Sequence, residues 1–314
     1  MQVFHGLAPF SQVKNKQIAL SVGNFDGIHL GHQELLKQTL MFSKQLGVQS
    51  GVLTFDPHPV QVLRPELGVK RMFPVSDLEI CLKKLGFDFL IICPFTKDFA
   101  QKSPQEFLDE LSSSLQLRAL VVGFDFHFGE GKAGDVSTLT QFCEKSNVEL
   151  AVVPAKKLND GQKISSTLLR SLLCEGNIEK LNQLLGRSFY SHGVVQQGEK
   201  RGQKLGFPTA NLRILSELVP NNGVYFTKIK WKGALYPAVT NVGTNPTFNG
   251  EQSRTVFVES HLLNFSDDLY GQEIDVFYLK KCRDEKRFLD VKALTNQISE
   301  DIMKAQMFFK ECKS

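Results

Sequence analysis

The stretch Gly23-Asn24-Phe25-Asp26-Gly27-Ile28-His29-Leu30-Gly31-His32 decides the fold of the first half of the chain. It follows an apolar run at residues 18–22, typical of a buried strand, and precedes Gln33-Glu34-Leu35-Leu36-Lys37, which predicts the start of a helix. A glycine-rich turn from strand to helix presents backbone N–H groups and the positive end of the helix dipole. Because glycines let a phosphate approach closely, this spacing indicates a phosphate site with His29 and His32 as donors.

Two plainer interpretations of this stretch stay open at the level of the residues alone. Glycine-rich turns between a strand and a helix are often only turns, and glycine patterns give false matches. His29 and His32 could also ligate a metal, but no Cys pair or carboxylate cluster stands nearby at zinc-site spacing.

The remainder of the first half alternates strands with helices. Apolar runs predict strands at residues 48–55, 89–93, 119–122 and 148–153. Helix signals lie between them: Gly47 as a C-cap, Ser76-Asp77-Leu78-Glu79 as a capping box, and Ser103-Pro104-Gln105-Glu106 with proline in the first turn. Near-continuous apolar strands between helices predict a Rossmann-like α/β domain with a parallel sheet covered on both faces.

The pattern changes near Arg187. Short apolar runs separated by Gly, Pro and Asn turns predict an antiparallel β-barrel or sandwich. Apolar side chains then recur at helical spacing in residues 291–309 and predict a closing amphipathic helix. We therefore predict two domains, residues 1–186 and 187–314.

Composition excludes several classes of protein. The 314 residues are 42% hydrophobic and 22% charged, which is a globular profile. A net charge of +4 without a long basic run argues against nucleic acid as a partner, and no stretch is long and apolar enough to span a membrane. The six cysteines form no Cys-x-x-Cys pair, and residues 1–10 lack a signal-peptide pattern, so we expect reduced thiols and a cytoplasmic location.

Three further stretches strengthen the phosphate interpretation. Thr54-Phe55-Asp56-Pro57-His58-Pro59 ends one predicted strand, and Gly123-Phe124-Asp125-Phe126-His127-Phe128-Gly129 ends another, where ligands bind in open α/β sheets. Lys163-Ile164-Ser165-Ser166-Thr167-Leu168-Leu169-Arg170 places hydroxyls at a helix start, with Arg170 one turn after Ser166. Taken singly, the first stretch is better explained as a rigid turn and the third as a helix cap, and a loop with buried phenylalanines is a serious alternative for the second.

These motifs together resemble a known family. His-x-Gly-His after a first strand is similar to the nucleotidylyltransferase signature, and Ile-Ser-Ser-Thr-x-x-Arg resembles its second signature. The fuller stretch from Gly23 to His32 resembles the bacterial bifunctional riboflavin kinase/FAD synthetase family. In the second half, Gly206-Phe207-Pro208-Thr209-Ala210-Asn211 is very similar to the flavokinase motif. The segments Asn241 to Phe248, Val258-Glu259-Ser260-His261, Asp268-Leu269-Tyr270-Gly271 and Arg283-Asp284-Glu285 match the same family.

The resemblance implies two activities: phosphorylation of riboflavin to FMN by the second domain, and adenylylation of FMN to FAD and pyrophosphate by the first, each with ATP. It implies His29 and His32 as catalytic donors and Glu259 as general base of the kinase step. It implies adenylyltransferase contacts from Gly23, Asn24, Phe25, Asp26, Gly31, Phe55, His58, Pro59, Asp125, Ser165, Ser166, Thr167 and Arg170. It implies kinase contacts from Gly198, Arg201, Gly202, Lys204, Gly206, Phe207, Pro208, Asn241 and Arg283, with Thr209 and Asn211 holding Mg²⁺.

Two positions depart from the family pattern, and two rivals remain. Lys132 and Gln203 stand where arginine is usual, so a bidentate phosphate contact is lost at the first and a phosphate contact is in doubt at the second.

The alternative functions are those of another adenylyltransferase, or a class I aminoacyl-tRNA synthetase, and of a non-catalytic flavin-sensing protein with decayed sites. The weak charge disfavours a synthetase, and the nearly complete motifs disfavour decay. No P-loop motif is present. A homo-oligomer is compatible with the sequence, which does not fix the oligomeric state.

Overall fold

The first half of the chain folds around a six-stranded parallel sheet. The structure, a computed structural model, describes residues 1–10, 17–158, 161–198, 202, 205–246 and 254–312. The described contacts divide the chain into two compact units, Met1–Ser166 and Thr167–Ser314. The strands of the first unit are β1 (Gln2–His5), β2 (Gln17–Val22), β3 (Gln49–Asp56), β4 (Phe89–Pro94), β5 (Gln116–Gly123) and β6 (Glu149–Val153).

The helices of this unit lie between the strands, as predicted. They are α1 (Leu7–Phe10), α2 (Leu30–Leu46), α3 (Pro59–Leu63), α4 (Val75–Leu85), α5 (Lys97–Ala100), α6 (Pro104–Ser114) and α7 (Val136–Ser146), with short 3₁₀ turns at Pro65–Leu67 and Glu130–Lys132. Gly47 closes α2 in the left-handed conformation, and Ser103 caps α6 through a capping box with Glu106, so both predictions are confirmed. The capping box at Ser76 is wrong, because α4 begins at Val75 and its N-cap is Pro74, two residues before Ser76, with no side-chain cap bond.

The sheet order is β1-β4-β3-β2-β5-β6, and every pairing is parallel. Separate apolar clusters cover its two faces, with Leu20 and Leu120 in one and Val52 and Val121 in the other. This explains why the central strands are near-continuous apolar runs. The chain leaves β2 toward β3 and β4 on one side and returns to β5 and β6 on the other. The topological switch point therefore lies between β2 and β5.

The second unit is built on a closed antiparallel barrel, not a sandwich. Its strands are β7 (Phe189–Gln196), β8 (Ala210–Ile214), β9 (Gly223–Trp231), β10 (Ala234–Pro246), β11 (Arg254–Leu262) and β12 (Glu273–Arg283), in the order β10-β11-β8-β7-β12-β9. The interior carries a buried hydroxyl chain in which Thr240 lies 2.7 Å from Thr227 and 2.8 Å from Ser260. Each hydroxyl is thus partnered, as burial of polar groups requires.

The barrel unit includes the helices α8 (Ser166–Glu175, from Thr167 onward), α9 (Ile178–Leu185) and α10 (Val291–Glu311). The Asn182 amide of α9 donates to the Tyr278 carbonyl at 2.8 Å and accepts from the Phe189 N–H at 2.7 Å. Apolar residues of α10, Ala305 and Phe309, pack with Phe226 and Leu263, so the predicted closing helix is confirmed. The predicted functional boundary at residues 186 and 187 stays a prediction, since α8 and α9 group with the barrel by their contacts.

All six cysteines are free thiols, in agreement with the expectation of reduced side chains. Burial raises the pKa of Cys93 to about 12 and that of Cys143 to about 11. Both therefore stay protonated and unreactive near neutral pH.

Two candidate active sites

The turn after β2 is held in a strained shape by its own apolar side chains. Phe25, Gly27 and Ile28 have φ angles of 49°, 90° and 45°, which are unusual for a phenylalanine and an isoleucine. A non-glycine residue in this left-handed region raises the free energy of the folded state by on the order of 1–3 kcal/mol. Phe25 and Ile28 are only 2% and 3% exposed, and burying such a side chain recovers about 1.5–3 kcal/mol. Burial of these two side chains therefore offsets the backbone strain of the turn.

His29 and His32 form a stacked pair at the start of α2. Their ring centroids lie 3.7 Å apart with an interplanar angle of 15°. His29 is the N-cap, and its Nδ1 accepts the His32 backbone N–H at 3.2 Å, so the proton of a neutral His29 ring is on Nε2. A Cβ at Gly31 would come within 3.1 Å of the His29 ring, which explains the glycine. The arrangement places imidazole N–H groups at the positive end of a 17-residue helix.

Asp26 and Asn24 tie the turn to neighbouring segments. The buried Asp26 carboxylate accepts the Met72 N–H at 2.9 Å, and the Asn24 carbonyl accepts the Thr54 hydroxyl at 3.2 Å. The Ser166 hydroxyl donates to the Asp26 carbonyl at 2.8 Å. Ser166 and the preceding Ser165 therefore lie beside the histidine turn, so the first residues of the two signatures come together.

The other half of the second signature lies in the second compact unit. Thr167 and Arg170 are on α8, where Thr167 is exposed and Arg170 half-buried. Their predicted approach to the phosphate site stays a prediction.

The exit from β3 carries Phe55, His58 and Pro59. His58 is the N-cap of α3, because its Nδ1 accepts the Val60 N–H at 3.2 Å, and Pro59 is the first helical residue. Phe55 packs against Phe95 and Phe99 at the edge of the core, with centroids 5.7 Å away in each case. In the described structure these residues shape the loop, and their predicted contact with nucleotide is not tested.

The sequence reasoning missed Arg71 in this region. Arg71 is 6% exposed, and its guanidinium donates to the Phe55 carbonyl at 2.6 Å and to Asp56 Oδ1 at 3.1 Å. It lines a small cavity together with Asn24 and Asp26. A buried arginine beside the predicted phosphate turn is a candidate anion ligand. In the sequence, Arg71 is marked only by its position before the apolar pair Met72-Phe73. That pattern is too common to identify a site residue.

The loop after β5 lies on the other side of the switch point. Its three phenylalanines have different environments, because Phe126 and Phe128 pack on the core whereas Phe124 is 44% exposed. Lys163 lies 4.4 Å from the Phe124 ring centroid and forms an ion pair with Asp125. Lys132 is exposed at the end of the following 3₁₀ turn, with a φ of 62°. Asp125 is thus placed at the carboxyl end of the sheet, as predicted, with Lys163 as a partner that had not been singled out.

The second candidate site is a row of polar side chains across the barrel. Pairing aligns Asn241 with Glu259, Glu259 with Asn211, and Asn211 with Gln196. Directly opposed residues share a face of a sheet, and the alternate residues Thr240 and Ser260 point into the barrel. The row therefore projects from the outer face, where Asn241, Glu259 and Asn211 are half-buried.

Two glycines fold the preceding loop onto this row. A Cβ at Gly198 would come within 2.4 Å of the Asn211 amide nitrogen, and one at Gly202 within 3.2 Å of the Thr209 hydroxyl. The Gly202 carbonyl accepts the Phe207 N–H at 2.8 Å, and the exposed Gly206 has a φ of 86°. The Pro208 carbonyl accepts the His261 Nδ1–H at 2.8 Å. Glycine is needed at position 198 because the loop meets the Asn211 side chain there, and at position 202 because a Cβ would come within 2.5 Å of the Phe207 carbonyl oxygen. The predicted contacts Arg201 and Lys204, and also Gln203, lie outside the described residues.

A groove of about 260 Å³ opens beside Thr209 and Asn211. Its polar side consists of Thr209, Asn211 and the backbone of Gly198, and its other walls carry apolar and acidic side chains. These include Leu262, Phe265, Leu269, Tyr270, Asp267 and Asp268. A mixed groove next to a glycine loop can take a small polar ligand with an apolar ring.

Arg283 forms an ion pair with a helix of its own unit. Its guanidinium makes three hydrogen bonds of 2.7–3.1 Å to the buried Asp301 carboxylate of α10 and donates to the Asp284 carbonyl at 2.9 Å. The predicted contact with a ligand is not tested.

Comparison with known proteins covers both units. The FAD synthetase family model matches residues 11–168, and the riboflavin kinase family model matches residues 185–309. A bifunctional riboflavin kinase/FMN adenylyltransferase from Listeria monocytogenes is 37% identical over 297 residues, covering 94% of this chain and 93% of that protein. Proteins of the same description from Bacillus subtilis and Escherichia coli K12 are 33% and 32% identical, each covering 98% of both chains.

A solved structure shares the whole fold. A crystal structure described as a macrolide-efflux protein from Streptococcus pneumoniae superposes with a TM-score of 0.88 and 29% identity, covering 98% of this chain and 99% of that chain. That description concerns the other protein alone. Among the described residues, no helix is long and apolar enough to cross a membrane. Two family models in tandem and relatives above 30% identity over nearly the full length lead to one conclusion: the chain belongs to the bifunctional riboflavin kinase/FMN adenylyltransferase family.

Proposed function

We propose that this chain makes FAD from riboflavin in two steps, each consuming ATP. The barrel unit transfers the γ-phosphoryl group of ATP to the riboflavin 5′-hydroxyl, and the parallel-sheet unit transfers AMP from a second ATP to FMN with release of pyrophosphate. The observation that carries this proposal is that one chain holds a glycine-histidine turn at a helix N-terminus and, separately, a row of polar side chains with Glu259 in it beside a glycine loop. Membership of the family supports both steps.

In the adenylyl transfer, His29 and His32 would donate hydrogen bonds to the α-phosphate of ATP. The helix N-terminus favours the negative charge that grows on that phosphate during attack by the FMN phosphate. The strained, buried turn supports this role because preorganised donors lose little entropy when the charge develops. Asp26 would act on the shape of the turn through Met72.

In the kinase step, Glu259 would accept the proton of the riboflavin hydroxyl as it attacks the γ-phosphorus. The carboxylate stands in the middle of the row, with Asn211 on one side and Asn241 on the other. The amide side chains can orient it and the ligand by hydrogen bonds. This geometry supports in-line transfer between an acceptor at Glu259 and phosphates near Asn211.

The donor set fits a magnesium ion carried by ATP. Thr209 and Asn211 offer one hydroxyl and one amide oxygen beside Gly198 and Gly202. Among the described residues no cluster of three His, Cys, Asp or Glu side chains stands ready to bind a metal. Mg²⁺ commonly keeps few protein ligands and takes the rest from phosphates and water, so Thr209 and Asn211 would suffice. When bound, the ion neutralises phosphate charge.

Incubation of the purified chain with riboflavin and Mg-ATP tests the proposal directly. Chromatography of the flavins should show FMN and then FAD, whereas FMN with Mg-ATP should give FAD alone. The complete absence of both products would refute the proposed function. FAD from FMN without phosphorylation of riboflavin would restrict the chain to adenylyl transfer.

A further inference from the structure

A buried ion pair fixes the last helix of the barrel unit to its last strand. Asp301 of α10 is 2% exposed, and the Arg283 side chain of β12 is 15% exposed. Arg283 Nε donates to both carboxylate oxygens at 3.1 and 3.0 Å, and Nη2 donates to Oδ2 at 2.7 Å. The Gln297 amide adds a bond of 3.1 Å to the same carboxylate. Asp301 is thus saturated with donors, and the guanidinium is held in one orientation.

Such a pair is poorly explained by stability alone. Removing two charges from water is costly, and well-packed apolar residues of similar size often give an equally stable fold. Apolar packing of Ala305 and Phe309 already docks α10 onto the barrel. What a forked, hydrogen-bonded pair adds is a single relative position of helix and strand.

The pair lies at one end of the polar row that carries Glu259. Pairing aligns Arg283 with Val224 and Val224 with Asn241, which in turn opposes Glu259. Continued beyond Asn241, the polar row therefore reaches the buried apolar Val224 and then Arg283. Because the proposed phosphate-binding residues stand at the Asn211 end, the acceptor would approach Glu259 from the Arg283 end.

The residues after Arg283 are fastened to the barrel at the same place. Asp284 pairs with Lys281 at 2.6 Å, and the Glu285 carboxylate accepts the Asn222 amide at 3.1 Å. A Cβ at Gly243 would come within 2.3 Å of that carboxylate, so Glu285 lies against β10 two residues from Asn241. A shift of Arg283 would therefore move the wall beside the row.

We propose that Asp301 is a positioning residue for riboflavin phosphorylation. It holds Arg283, and with it residues 284 and 285, so that the acceptor end of the row keeps its shape. The inference rests on the proposed kinase function. It goes beyond that function because it assigns a role to a residue of the closing helix and names the side from which riboflavin reaches Glu259.

Asp301→Asn tests the role, because it keeps the size of the side chain and removes its charge. We expect kcat/KM for riboflavin to fall by about 10–10²-fold, since small misplacements remote from the chemistry can cost about 10²-fold. The KM for ATP should not change, and neither should FAD formation from supplied FMN. Glu300→Gln is the matched control, because Glu300 is the neighbouring acid on α10 and its contacts, an ion pair with Lys304 at 3.8 Å and a bond from the Gln297 amide at 3.2 Å, are exposed. The glutamine side chain can still accept the Gln297 amide. This control should behave as the parent.

A double variant separates positioning from folding. Arg283→Met with Asp301→Leu removes both charges and leaves an apolar contact, so the fold should be retained with little change in Tm. FMN formation should nevertheless fall as in Asp301→Asn. If Asp301→Asn lowers Tm but leaves kcat and the KM for riboflavin unchanged, Asp301 is only structural and the inference is wrong. A parent chain that makes no FMN would instead overturn the proposed function.

Discussion

The two units assemble their candidate sites in opposite ways. In the parallel-sheet unit, the glycines and both histidines come from ten consecutive residues, Gly23 to His32, at one strand-to-helix turn. In the barrel unit, Gln196, Asn211, Asn241 and Glu259 come from four strands and meet only through their pairing register. Because the residues of the first site are close together in the sequence, their spacing alone predicts that site. The second depends on register, where a slip of one residue would turn every side chain of a strand to the other face.

This contrast predicts that a substitution can abolish the activity of one site without affecting the other. Of the substitutions considered, Glu259→Gln should have the largest effect on a rate. The change keeps size and polarity but removes the general base, which is typically worth about 10²–10⁴-fold. We expect kcat for FMN formation to fall by that factor, with riboflavin and ATP still bound and FAD formation from supplied FMN nearly unchanged. Steady-state assays of the two reactions measure this.

Glu273→Gln is the matched control, since Glu273 is an exposed barrel carboxylate 3.7 Å from His192. It should phosphorylate riboflavin as the parent does. A Glu259→Gln variant close to the parent rate would show that the base is assigned to the wrong residue.

His29→Ala and His32→Ala should damage only the locally encoded site. Loss of one preorganised donor costs about 10²–10³ in rate. We therefore expect FAD formation from FMN to drop by that factor while riboflavin phosphorylation stays intact, measured by the same assays. His5→Ala, an exposed histidine on the edge strand β1, serves as the control. Equal loss of both activities in a folded His29→Ala protein would argue for a structural role.

The boundary between the units can be sharpened with two fragments. One spans residues 187–314, as the change in sequence pattern suggests, and the other spans residues 167–314, as the compact unit suggests. Only the longer fragment keeps α9, whose Ile178, Leu181, Leu184 and Leu185 are at most 1% exposed. Burying each of these side chains contributes about 1.5–3 kcal/mol to the free energy of unfolding.

Both fragments should make FMN and no FAD, but the longer one should have the higher Tm and the larger free energy of unfolding in urea. Equal stability would mean that α8 and α9 are not part of the folding unit of the barrel. An inactive longer fragment that remains folded would count against separable activities.

The sequence predicted those features that depend on residues close together in the chain. The β2 turn, the Gly47 and Ser103 caps and the closing helix follow from such neighbours. Strand β1 went unpredicted because Gln2–His5 is short and carries polar residues at both ends, so that its pairing with β4 defines it. The capping box at Ser76 failed because a proline two residues earlier starts the helix.

Side-chain pairs between distant residues could not be predicted. Arg71 bonds a carbonyl 16 residues earlier in the chain, and Arg283 pairs with an acid 18 residues later. Nothing in the local pattern marks such partners, because their proximity depends on the complete fold. The family resemblance indicated Glu259 and Asn211 as functional, but only the register shows that they stand opposite each other.

One mixing experiment tests most directly the claim that each unit holds a self-sufficient site. The Glu259→Gln and His29→Ala proteins are incubated with riboflavin and Mg-ATP, separately and together, and the flavins are separated by chromatography. Alone, the first should leave riboflavin nearly unchanged and the second should accumulate FMN. Together they should form FAD, since FMN released by one protein is adenylylated by the other. A mixture that accumulates FMN without FAD, or a single variant that is folded yet has lost both activities, would contradict the account.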